Sequence, residues 1–381
     1  MMNAIGKKPL FCLKFNFMKL KELCSSLEDW APLAYQESYD NSGLIVGDSS
    51  VELTGVLVSL DCTEEVVAEA IAKGCNAIVS HHPIVFKGLK SFTGANYVER
   101  TLLKAIKNDI ALYAIHTNLD NVDTGVNKML AEKIGLINTQ ILVPKKSIIK
   151  QLVSYVPSAQ AEKVRNSLYG VGAGSFGEYS ECSFSVSGKG TFKGSSNSNP
   201  QVGEKEVREE VAEERIEVLF PAYLETKVLS SLKSAHPYEE VSYRILSLDN
   251  ENQNIGSGLI GELSEAKMPL DFLLELKTNL NAKGIRFTKT GDHKIKKIAI
   301  CGGSGSFLLQ AAIRSGADVI VSSDFKYHEF FDADNKIIIA DVGHYESEQY
   351  TKDLIADFLR KKFLKFAVHL SEVNTNPINY L

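Results

Sequence analysis

The stretch N-A-I-V-S-H-H-P, residues 76–83, sets a short apolar run directly before two histidines and a proline. The run is too short for a helix and does not alternate apolar with polar, so it reads as a strand covered on both faces. The same grammar surrounds it. T-G-V-L-V-S-L (54–60) leads to Asp61 and a helix over 63–73, and I-A-L-Y-A-I (110–115) leads to His116-Thr117-Asn118-Leu119-Asp120. Near the C-terminus, I-K-K-I-A-I (295–300) leads to the loop Cys301–Ser306 and a helix to about 314. D-V-I-V (318–321) leads to Ser322–His328, and K-I-I-I-A (336–340) to Asp341–Glu348 and a long terminal helix. Apolar strands alternating with helices predict an α/β fold of mixed, mostly parallel sheets with flanking helices. An amphipathic helix over 18–32, stopped by Pro32, precedes them.

The 381 residues are more than one core usually serves, which suggests two or three domains. Hydrophobic residues at 44% and charged residues at 23% fit a folded globular chain and exclude a disordered one. The 42 basic against 47 acidic residues, net −5, argue against binding nucleic acid through phosphate contacts. No apolar run reaches the roughly 20 residues of a membrane-spanning helix. Residues 1–17 carry an apolar patch interrupted by Lys14 and lack a small-residue cleavage site, so they read as a flexible, untargeted extension upstream of Met18. The six cysteines, at 12, 24, 62, 75, 182 and 301, form no C-x-x-C pair. They predict reduced thiols in a cytoplasmic protein.

The middle of the chain follows another rule. Strand Lys150–Pro157, helix Ala159–Tyr169, strand Ser183–Thr191, strand Ile216–Phe220, helix Tyr223–Ala235 and strand Val241–Leu248 give the order β-α-β-β-α-β. That order predicts an inserted ferredoxin-like α+β domain over 146–255. It divides the surrounding core domain into 18–145 and 256–381. Within the insert, the Gly/Ser/Asn-rich stretch from Gly188 to Gly203 reads as irregular, and the charge run 204–217 as a solvated face or an approach to a strand.

The ionisable residues gather in the loops after strands. His81 and His82 follow one strand, Asp120 another, His344 and Glu348 a third. In open α/β sheets ligands bind beyond the carboxyl ends of strands, so these loops are expected to converge. Three imidazoles and two carboxylates form a mixed N/O set suited to Zn, Fe, Mn or Ni rather than a thiolate site. Their number favours two divalent ions, with a carboxylate able to bridge them. His344 and Glu348, spaced i, i+4, share one helix face. Against this, a lone histidine is usually structural, and His236, His293 and His369 are read so.

S-H-H-P-I-V-F-K-G-L-K-S (80–91), H-T-N-L-D (116–120), D-T-G-V-N (123–127) and G-H-Y-E-S-E (343–348) closely resemble the Nif-three-like family, also called GTP cyclohydrolase type-two homologues. Y-D-N-S-G-L (39–44) and the S-D-x-x-x-H segment holding Asp324 and His328 fit the same pattern. The resemblance runs from Met18 to the C-terminal helix. It implies a dinuclear metal centre held by His81, His82, Asp120, His344 and Glu348, with Glu348 as the bridge, inside a ring-shaped homohexamer. It also implies that the insert is similar to the PII and CutA trimeric proteins, with His236-Pro237-Tyr238-Glu239-Glu240 matching that domain's HPYE signature.

A two-metal N/O site suits hydrolysis of phosphate esters, amides or purine rings. The expected activity is therefore hydrolysis of a nucleotide or similar phosphorylated small molecule, and the family name implies ring-opening of GTP. Asp324 and His328 are the candidate acid–base or ligand-orienting residues. The Gly302-Gly303-Ser304-Gly305 loop is a candidate phosphate cradle, and Lys87 and Lys90 candidate anion contacts. The other reading is a non-catalytic hexamer that stores metal or docks a partner, with the insert as its sensing element.

Overall fold

A computed structural model describes residues 18–381 apart from Phe176 and Glu178; the expectation for residues 1–17 lies outside the described residues. The chain forms two units, one combining the segment up to Leu142 with Ser257–Leu381, the other running from Val143 to Gly256.

The first unit holds two mixed sheets. One places strands Gly43–Val46, Ala111–Ala114, Ala77–Ser80, Val56–Ser59 and Val368–Leu370 side by side in that order. All neighbours are parallel except Gly43–Val46 with Ala111–Ala114. Ser59 aligns with Ser80, and Ser80 with Ala114, so three strands end level and deliver Asp61, His81 and His116 to one edge. Helices Glu64–Ala72 and Tyr97–Lys107 cover this sheet, packing Val66, Val67, Ala70, Leu102 and Ala105 onto Leu57, Ile78 and Leu112. Each helix starts on a side-chain cap, Thr63 accepting from the Val66 amide and Asn96 from that of Glu99.

The second sheet has the order Arg286–Phe287, Ile338–Asp341, Val319–Ser323, Ile295–Ser304, Glu251–Lys267, Leu136–Lys146. Its Ile338–Asp341, Val319–Ser323 and Ile295–Ser304 strands are parallel. Val319–Ser323 and Ile338–Asp341 are buried along their whole length, as continuous apolar runs require. Helices Val126–Ile134 and Pro269–Asn279 cover one face through Leu130, Ile134, Phe272 and Leu276. Leu309 and Ala312 of helix Leu309–Arg314, with Phe325, pack on Ile320 and Ile339 of the other.

The second unit runs Ile149–Pro157, helix Ala161–Tyr169, Phe184–Lys193, Arg208–Pro221, helix Glu225–Ala235, Tyr243–Leu248. Its four strands form an antiparallel sheet in the order Phe184–Lys193, Arg208–Pro221, Ile149–Pro157, Tyr243–Leu248. Val164, Leu168, Val228 and Leu232 of the two helices pack on Leu152, Val156, Ile216, Val218 and Phe220.

At three points the strands depart from the sequence reading. The strand expected over Ser183–Thr191 runs Phe184–Lys193, so the start of the glycine-rich stretch is regular, because it pairs residue for residue with Arg208–Glu217. The charge run, read as a solvated face or an approach to a strand, supplies most of the 14-residue strand Arg208–Pro221 itself. The strands Leu136–Lys146 and Glu251–Lys267 were not expected at all; Gly256, Gly258 and Gly261 interrupt the alternation of the second.

Candidate metal centre

The carboxyl ends of the two sheets of the first unit meet around one cavity of about 720 Å³. His81 and His82 leave the Ala77–Ser80 strand with their amides still bonded to the carbonyls of Ser59 (3.3 Å) and Leu60 (3.0 Å). Asp120 closes the one-turn helix Thr117–Asp120. His344 and Glu348 open and close the helix His344–Glu348, which starts at Gly343 with φ +94°.

Four histidines, His81 buried behind the cavity wall and His82, His116 and His344 lining it, are held in the same way. His81 Nδ1 donates to the Ile115 carbonyl at 2.8 Å, His82 Nδ1 to Asp61 at 2.7 Å, His116 Nδ1 to Asp40 at 2.8 Å and His344 Nδ1 to Asp324 at 2.6 Å. Each bond fixes the ring and leaves the Nε2 lone pair turned inward, the second-layer arrangement common around metal-binding imidazoles.

Glu348, 3% exposed, divides its two oxygens. Oε2 lies 3.0 Å from Nε2 of both His82 and His344, while these two nitrogens are only 3.3 Å apart. Oε1 lies 3.8 Å from His81 Nε2, and Asp120 Oδ1 is 3.6 Å from that nitrogen. His82–His344–Glu348 and His81–Asp120–Glu348 are thus two three-donor groups sharing one carboxylate, and His81–His82–His116 is a third. Lone pairs this close repel unless cations stand between them. His81 Nε2 and Asp120 Oδ1 are both buried without a hydrogen-bond partner, a costly state for polar atoms that no cation serves. The donors present therefore fit a metal ion.

Without metal, protons take the cations' place. Burial alone would lower His344 and His82, but carboxylates outweigh it: Glu348 and Asp324 raise His344 to about 11, and Asp61 and Glu348 raise His82 to about 9. Burial and the neighbouring Glu348 raise Asp120 to about 7. Glu348 itself, despite burial, is held well below the usual carboxylate range by His344, His81 and His82.

The glycines of 302–303 have a different task from the one their sequence suggests. A Cβ on Gly303, where φ is +61°, would stand 2.3 Å from Glu348 Oε1, and one on Gly302 would stand 2.9 Å from Val126. Their amides donate to Ser347 Oγ and Asn127 Oδ1, both at 2.9 Å, which leaves neither for phosphate. The expected phosphate cradle is instead the backbone wall behind Glu348.

All five expected ligands converge. Asp324 holds His344, whereas His328 is exposed, its ring against Tyr327 and Phe331, and lines no part of the cavity. Lys87 and Lys90 are likewise exposed and outside the lining. Sequence reasoning missed His116, with Asp40 behind it, and the Asp61–His82 pair. The signal was present: Asp61 and His116 also follow strands, and Asp40 lies in Y-D-N-S-G-L.

An α/β protein with paired imidazole–carboxylate groups between two sheet ends belongs among candidate metal-binding proteins. The Duf34/NIF3 (NGG1p interacting factor 3) family matches residues 18–377, and the chain belongs to it. Over 96% of its length it is 36% identical to the whole of a Staphylococcus aureus protein named GTP cyclohydrolase 1 type 2 homolog. A Bacillus subtilis protein of the same name is 37% identical over 95% of the chain and 98% of its own length. The crystal structure of a Bacillus cereus protein related to NIF3 superposes with a TM-score of 0.82 at 38% identity, covering 96% of this chain and 100% of that one. Reduced HcgD from Methanocaldococcus jannaschii shares the fold alone, with a TM-score of 0.56 at 20% identity over 93% and 98% of the two chains. Among the described residues no helix is long and apolar enough to cross a membrane.

Proposed function

We propose that this chain is a dinuclear metal-dependent hydrolase of small molecules of the nucleotide type, with His81, His82, Asp120, His344 and Glu348 holding two divalent ions of Zn, Fe, Mn or Ni and Glu348 bridging them. The observation that carries this reading is the division of the Glu348 oxygens between two donor groups. Two such ions would lower the pKa of bound water and stabilise the entering and leaving oxygens of a hydrolysis. The chain's own residues supply the rest. Asp61 and Asp324 keep the rings of His82 and His344 turned inward. His116, backed by Asp40 and with its ring centre 5.2 Å from that of His81 and 5.3 Å from that of His82, is placed to carry a proton at Nε2 between cavity and bulk water. Asp324 acts here by position, and His328 takes no part.

Ring-opening of GTP is the specific reaction to test first, because that name attaches to the relatives. The domain division 18–145, 146–255, 256–381, a ferredoxin-like insert similar to PII and CutA proteins, a homohexamer and a cytoplasmic location belong to the same proposal. The β-α-β-β-α-β order of the second unit supports the insert's assignment. The test is an anomalous-scattering map of crystals grown without added metal, paired with a hydrolysis screen. Two peaks flanking Glu348 and turnover lost in His116→Asn at neutral pH are expected. One peak or none refutes the dinuclear centre, and two peaks without turnover of any nucleotide, nucleoside or ester refute the hydrolase.

A further inference from the structure

Among the described residues, those lining the metal-facing cavity include no lysine and no arginine. Its acidic residues are Glu37, Asp61, Asp120 and Glu348. Five carboxylates, Asp40, Asp61, Asp120, Asp324 and Glu348, touch or hold the donor histidines. Two divalent ions bring four positive charges to these five negative ones, so the loaded centre has no surplus charge for a polyanion. The backbone behind Glu348 and the helix start at Thr63 add none. The Gly302 and Gly303 amides are taken, and the helix beginning beside Thr63 carries Glu64 and Glu65 in its first turn, where a phosphate would otherwise sit.

The mouth of the cavity is walled by rings. Tyr39, Phe86, Tyr97 and Phe307 line it and are 68%, 50%, 62% and 67% exposed. Exposed aromatic faces around a cleft suit a flat apolar ligand face, while Asn127, Asn376 and Ser304 supply neutral polar contacts along the wall.

We infer that this cavity takes an uncharged planar heterocycle, as a free base or nucleoside, and selects against its polyphosphate. The inference rests on the two-metal reading and narrows it: the part of a nucleotide recognised is the ring. A triphosphate, with close to four negative charges at neutral pH, would meet like charge at the wall and find no guanidinium or ammonium to receive it.

Equilibrium dialysis of the metal-loaded protein at 0.15 M salt, with guanosine and with GTP as the two probes, tests this. Guanosine is expected to bind at least about tenfold more tightly, and the ratio to fall as salt screens the repulsion. Tyr97→Lys, which removes one ring and adds one cation at an exposed position, is expected to reverse the preference with metal content unchanged. GTP binding as tightly as guanosine in the parent protein, or neither probe binding at 1 mM, overturns the inference. Guanosine bound preferentially but never hydrolysed leaves the inference standing and defeats the hydrolase instead.

Discussion

Metal binding at this centre should be driven steeply by pH, and the steepness follows from the protons the metal-free site holds. Both His82, raised to about 9, and His344, raised to about 11, carry a proton at neutrality. Asp120, raised to about 7, is half protonated there. A metal ion accepts only the deprotonated ligand, so each of these protons must leave as ions enter. Raised pKa values mean that affinity is lost as pH falls and recovered as it rises. Below pH 7 three protons oppose loading, and between 7 and 9 two do. The overall constant for two ions should climb about three decades per pH unit below 7 and about two decades above it. From pH 6 to 8 the combined rise is about five decades, about two and a half per ion. Competition with a chromophoric chelator at fixed ionic strength measures it, and calorimetry in buffers of different ionisation enthalpy counts the protons released. Fewer than one proton released per pair of ions at pH 7, or a pH-independent constant, would refute the reasoning.

Glu348→Ala removes one donor from each group at once, so metal content in plasma emission spectrometry should fall from about two ions per chain to below one; two ions retained would contradict the bridge. Gly303→Ala forces a methyl into the space of Glu348 Oε1 at a backbone angle that side chains disfavour, and should cost about 2 kcal/mol of stability in denaturant titration together with metal. An unchanged midpoint would show that Glu348 has room to move. Asp324→Asn should weaken metal binding by about 10- to 100-fold without unfolding the chain, read from chelator competition and circular dichroism; unchanged affinity would mean His344 needs no support.

Much of this was legible in the chain because the chemistry and the strands are adjacent in it. His81, His82 and Asp120 each follow a short buried run, and parallel strands ending level carry the loops to one place. What escaped depends on pairings distant in sequence. Asp40 and His116 are 76 positions apart, and neither residue alone announces the bond between them. Gly302 and Gly303 look like a turn because glycine preference is usually read from backbone angles, whereas here distant side chains exclude a Cβ, Val126 at Gly302 and Glu348 at Gly303. The strand Leu136–Lys146 hides behind Pro144 and mixed polarity, and its partners become visible only in the assembled sheet.

The donors sit on both flanks of the Val143–Gly256 unit: His81, His82, His116 and Asp120 before it, His344 and Glu348 after it. Cations held there would therefore act as a clasp between the two ends of a folded-back chain. A single proteolytic nick within the exposed Ser195–Ser196 stretch would yield two fragments, each with an incomplete coordination sphere. The antiparallel pairing of Phe184–Lys193 and Ile149–Pro157 with Arg208–Pro221, the Leu136–Lys146 strand beside Glu251–Lys267, the Val368–Leu370 strand beside Val56–Ser59 and any ions held at the centre would then join them. Such a nicked molecule is expected to come apart more readily in a chelator than in buffer, turning the centre into a reversible fastener for a split protein.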